Sequence, residues 1–106
     1  MRLEEKVTAG FIIYIARIAY DPGEKSLTIK LLKSPESQKI ARTLIFSNIQ
    51  DFSEQLNWEE AVDENCVDSL IGLDEYPQQE KVKYVVHTQE REIIFSTDEK
   101  PQVVDT

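Results

Sequence analysis

The sequence predicts a mainly β fold: a single domain over residues 1–106, built as an antiparallel sandwich or partly open barrel, with one or two short helices around residues 49–63. Three observations predict it. Short apolar stretches rich in β-branched and aromatic residues recur along the chain, and such residues pack well on a pleated surface. Several of them alternate apolar and polar, the period of a half-buried strand. The segments between them are short and carry turn residues, so neighbours in sequence pair locally. An α+β layer, with a helix packed on an antiparallel sheet, is the alternative.

Residues 11–20 (Phe-Ile-Ile-Tyr-Ile-Ala-Arg-Ile-Ala-Tyr) are apolar on both alternating sets, as in a central strand covered on two sides. Asp21-Pro22-Gly23-Glu24 then reads as a type II turn, with Pro22 presetting φ and Gly23 taking a positive φ. Residues 26–33 alternate cleanly: Leu27, Ile29 and Leu31 face one way, Thr28, Lys30 and Leu32 the other. These two strands form the first hairpin. Ser34-Pro35 opens a turn or one helical turn.

Residues 42–49 read as a third strand. Ser47 or Asn48 then caps a helix over residues 49–56, placing Ile49, Phe52 and Leu56 on one face. Asn57 with Glu60 three residues later starts a further helical turn in the manner of a capping box. Residues 66–73 form a strand with Gly72 as a bulge or strand end. A loop follows at Tyr76-Pro77-Gln78-Gln79. Residues 82–88 and 92–97 are the last strands, and the tail beyond Lys100-Pro101 packs weakly or frays.

The charge is unevenly placed. Residues 51–80 hold ten acidic side chains and no Lys or Arg, whereas the first fifty residues hold eight basic and five acidic groups. The net charge of −8 disfavours nucleic acid as a partner, because that ligand calls for a dense cationic surface. The apolar run at 9–20 is too short to span a bilayer, and Glu4 and Glu5 are wrong for a cationic leader. Cys66 is the single cysteine, so no intrachain disulfide forms and the chain suits a reducing cytoplasm.

No motif specifies a cofactor or metal. The three glycines are isolated, so no Gly-rich loop leads into a helix to hold phosphate. Asp63, Glu64, Asn65 and Asp68, or Asp74 and Glu75, are oxygen donors, but the spacing of a calcium loop is missing. The single His87 and single Cys66 leave a zinc site short of its usual ligands. A catalytic reading rests on His87, with Cys66 or carboxylates beside it. No nucleophile elbow accompanies Cys66.

The remaining reading is protein binding. Trp58, Glu59, Glu60, Asp63, Glu64, Asp68, Asp74, Glu75 and Tyr76 combine aromatic anchors with an acidic rim, a common interface composition. Acidic groups speed docking to a basic protein by long-range attraction. The expectation is a small, acidic, non-enzymatic binding module of inhibitor, immunity-like or regulatory type, docking a basic partner through the 51–80 face, with no membrane contact. The competing readings are a small enzyme centred on His87 and a homodimeric structural subunit. In composition the chain resembles bacterial immunity proteins and other stoichiometric inhibitors, a likeness that assigns no residue a role.

Overall fold

The computed structural model describes residues 13–34, 36, 39–56 and 68–105. They form eight strands and, among the described residues, no helix: β1 (Ile13–Asp21), β2 (Ser26–Leu32), β3 (Arg42–Phe46), β4 (Gln50–Leu56), β5 (Ser69–Pro77), β6 (Val82–Thr88), β7 (Arg91–Thr97) and β8 (Gln102–Asp105). All pair antiparallel in one open sheet of order β4-β7-β6-β5-β1-β2-β3-β8. The expected mainly antiparallel β architecture is therefore present.

The sheet has two halves with a narrow seam. β1 pairs with β2 along most of its length, but with β5 only at Ile13↔Leu70 and Tyr14↔Ser69. One further bond, from Ile15 N–H to the Asp68 carbonyl (2.8 Å), extends the seam. Around it the sheet bends back on itself. Phe46 on β3 lies five strand positions from Phe95 on β7, about 24 Å apart in a flat sheet. Their rings nevertheless meet edge to face at 4.7 Å, and Phe46 also meets Tyr84 on β6 at 5.0 Å.

The core lies between the facing halves. Leu27, Ile29 and Leu31 of β2, Leu44 and Phe46 of β3, Leu73 of β5, Tyr84 and Val86 of β6, and Ile93 and Phe95 of β7 all point into it. The alternation read in residues 26–33 thus marks the core face. Two crossovers, β3 to β4 and β7 to β8, tie the halves together. The Thr97 hydroxyl donates to the Ser47 carbonyl, Asn48 Nδ2 donates to Asp98 (2.7 Å), and Ile49 N–H donates to the Lys25 carbonyl (2.9 Å).

Several expectations need correction. The helix over 49–56 is strand β4, paired with β7. A β-bulge between Gln50 and Ser53 inserts one extra residue, with Asp51 at φ 55°. Ile49 and Phe52 therefore both reach the core at a spacing of three, which imitates helical periodicity. The second expected helix, with its start at Asn57–Glu60, lies outside the described residues. The first hairpin closes through Asp21, whose Oδ1 accepts the N–H groups of Gly23 (3.0 Å) and Glu24 (3.2 Å). Lys25 takes the left-handed φ, at 53°, and Gly23 has none, so the turn is not type II. Tyr76 and Pro77 are not loop residues: they pair with Lys83 and Val82. The tail does not fray but adds β8 to the edge of β3.

Candidate functional site

The nine residues expected to form a binding face divide three ways. Trp58, Glu59, Glu60, Asp63 and Glu64 lie outside the described residues, as does Cys66. Asp68 is taken up in holding the fold. Asp74, Glu75 and Tyr76 lie along β5.

Asp68 stands at the seam. Its Oδ1 accepts the N–H of Ser69 (2.9 Å) and of Glu90 (3.2 Å), so it fixes the β6–β7 turn to the start of β5. The Thr88 hydroxyl caps the same turn, accepting from the N–H groups of Glu90 and Arg91. A cavity of about 330 Å³ adjoins this corner, lined by Ile15, Ala16, Arg17, Ile18, Asp68, Glu90 and Arg91. Two guanidinium and two carboxylate groups line it, so it favours neither sign of charge.

The described acidic residues of 51–80, crowded in sequence, are not crowded in space. Successive strand residues point to opposite faces. Asp74 therefore lies on the outer face, opposite Val85, while Glu75 lies opposite the core residue Tyr84. Glu54 on β4 is tied to Arg91 at 3.0 Å, and Glu80 stands in the β5–β6 turn. Desolvation by burial, then the nearby negative charge of Glu75, raise the Tyr84 hydroxyl above its ordinary 10.0.

What the strands do assemble is a face of three rows across β5, β6 and β7. Tyr76, Lys83 and Ser96 form one row; Asp74, Val85 and Ile94 the next; Gly72, His87 and Glu92 the third. The register of β5 shifts between Leu70 and Gly72, and this bulge turns Ile71 into solvent, 66% exposed. Tyr76 is 51% exposed at the other end of the same strand. Two large apolar side chains thus stand about 16 Å apart along the strand, with Asp74 between them.

His87 sits inside this face, half-buried. Its Nε2 lies 3.2 Å from Asp74 Oδ2 and its Nδ1 lies 3.4 Å from Glu92 Oε2. Gly72 lies directly across from it, and a Cβ there would come within 3.5 Å of His87 Cδ2. That is an ordinary contact, so a methyl fits there, whereas a branched side chain would crowd the imidazole. Both ring nitrogens face carboxylates. Sequence reasoning singled out His87 but did not identify this bracket. Its partners lie 13 and 5 residues away in sequence, and only the strand register brings them together.

Among the described residues no three His, Cys, Asp or Glu side chains are grouped as metal ligands. Nor, among them, is any helix long and apolar enough to cross a membrane.

No protein-family model and no curated protein matches the sequence. The fold is similar to the crystal structure of an uncharacterized protein from Neisseria gonorrhoeae, with a TM-score of 0.57 over 91% of this chain and 93% of that one. At 14% sequence identity the likeness is one of fold alone.

Proposed function

We propose that this chain is a non-enzymatic protein-binding module that docks a basic partner through the outer face of β5, β6 and β7. The observation that carries the reading is the strip along β5. Ile71 and Tyr76 stand exposed at its ends, and Asp74 lies between them beside His87 and Glu92. Apolar anchors inside a polar, charged surround match the anatomy of protein interfaces. The net charge of −8 favours encounter with a cationic surface. This reading rests on Asp74 and Tyr76 of the acidic 51–80 segment and adds Ile71 and Glu92 to them, while Glu75 lies on the other face.

The test is affinity capture at low and high ionic strength, with the captured protein identified by mass spectrometry and rebound in purified form. A basic partner that is released by salt, and lost in an Ile71→Ala/Tyr76→Ala variant, is the expected result. Undiminished binding by that variant, with circular dichroism showing it folded, would overturn the assignment of the face.

A further inference from the structure

We propose that His87 makes the charge of this docking face depend on pH, holding Glu92 back from a partner's cation when protonated and releasing it when neutral. This rests on the reading of the β5–β6–β7 face as the docking surface and adds its regulation.

The geometry is specific. An imidazolium has two N–H donors, and here each ring nitrogen faces a carboxylate: Nε2 toward Asp74 at 3.2 Å, Nδ1 toward Glu92 at 3.4 Å. The bracket spans three strands, with Asp74 on β5, His87 on β6 and Glu92 on β7. A neutral imidazole has only one N–H. The shorter contact, which meets hydrogen-bond geometry, keeps the proton on Nε2 toward Asp74. The Nδ1 lone pair then faces Glu92, and two electron-rich atoms at that separation repel. Glu92, 39% exposed at its side chain, is thereby offered to solvent or to a partner's lysine or arginine.

Among the described residues, the other groups around the ring do not mask this change. Across β5 the ring meets Gly72, which has no side chain. On its own strand Lys83 shares the outer face but sits two rungs away, opposite Tyr76 and Ser96. From β4, the residue opposite Glu92 is the uncharged Gln55. Glu75 belongs to the other face, against Tyr84. Loss of one proton therefore takes the Asp74–His87–Glu92 group from a formal charge of −1 to −2. Imidazole is the side chain that ordinarily makes such a change between about pH 5 and 8.

A synthetic oligolysine peptide with acetylated and amidated termini is a suitable probe, because its lysine charge is constant over that range. Its dissociation constant should fall about two- to fivefold between pH 5 and 8, the worth of one additional exposed ion pair. His87→Gln and, separately, Glu92→Gln should each flatten the dependence while leaving the fold intact, since both side chains are half-exposed. A second readout follows from reciprocity. The chain has one histidine, so its imidazole NMR signals report His87 alone. Saturating peptide should move their titration midpoint to lower pH, because the peptide favours the deprotonated state.

If the peptide shifts the amide signals of Ile71 and Tyr76 but binds equally at both pH values, the switch is wrong and the docking face stands. If it perturbs no residue of β5, β6 or β7 at either pH, the docking face is wrong as well.

Discussion

The bend of the sheet depends on three rings, and a double-mutant cycle measures what they contribute. Phe46 and Phe95 are fully buried and meet edge to face at 4.7 Å with an interplanar angle of 71°. Tyr84 completes the cluster, 5.0 Å from Phe46 and 5.5 Å from Phe95. Phe46→Ala would cost about 3–5 kcal/mol, a large share of the ~5–15 kcal/mol that holds a domain of this size. Phe46→Leu is the better probe. It removes the equivalent of roughly three ring carbons, and at ~0.8 kcal/mol per buried carbon unit it should cost about 2 kcal/mol. Phe95→Leu should cost a similar amount. The edge-to-face contact adds about 0.5–1.5 kcal/mol beyond area burial, so the double variant should be less unstable than the sum of the two by that margin. Urea unfolding followed by far-UV circular dichroism gives all four stabilities, provided the slopes agree. A coupling energy under about 0.3 kcal/mol, the range of independent sites, would mean that the rings do not touch and that the halves are not closed here.

Three further outcomes follow from single contacts. Tyr84 titrates above 10.0 through burial and the charge of Glu75. The unfolded chain therefore releases that proton before the folded one does, and stability is intact below pH 10 and lost as pH rises through the raised value. Urea midpoints should hold up to about pH 10 and fall above it, and Tyr84→Phe should remove part of that fall. Asp68→Ala strips the acceptor shared by the N–H groups of Ser69 and Glu90, and should cost about 1–2 kcal/mol by urea unfolding. Gly72→Ala should be tolerated to within about 0.5 kcal/mol, since its Cβ would meet His87 Cδ2 at an ordinary 3.5 Å. Gly72→Val should displace the imidazole and move its NMR signals.

Much of the fold was legible because much of it is local. Leu27, Ile29 and Leu31 alternate with Thr28, Lys30 and Leu32, and the core takes the first set. Residues 82–88 and 92–97 fall on β6 and β7 to within one residue. Gly72 does mark a bulge. Non-local features were hidden. β4 reads as a helix because its bulge sets Ile49 and Phe52 three apart, and nothing within the segment announces the bulge. β8 contains only Val103 and Val104 as apolar residues, and it becomes a strand because β3 offers it an edge. Among the described residues, the acids of 51–80 do not form one patch. Strand alternation separates Asp74 from Glu75, and Arg91, a residue of the C-terminal strands, pairs Glu54.

The two edges of the sheet bear on how a partner can dock. An open edge invites strand addition, and natural sheets discourage it with bulges, charges and short strands. β4 carries all but the last: a bulge between Gln50 and Ser53, the left-handed Asp51, and the charges of Asp51 and Glu54. β8 has only four residues, and its last rung is tied sideways by the Arg42–Asp105 ion pair. Both edges thus resist a ladder with another chain, including a second copy of this one. Among the described residues, the outer face of β5, β6 and β7 has no such guard. It is paired on both sides over β6 and β7 and exposes Ile71 and Tyr76. Contacts made there run through side chains, with the carboxylates of Asp74 and Glu92 among them. Backbone ladders are insensitive to ionic strength, whereas exposed ion pairs weaken as the screening length drops to ~8–10 Å near physiological salt and further above it. Release of the partner by salt therefore separates face docking from edge pairing, whatever the partner's identity.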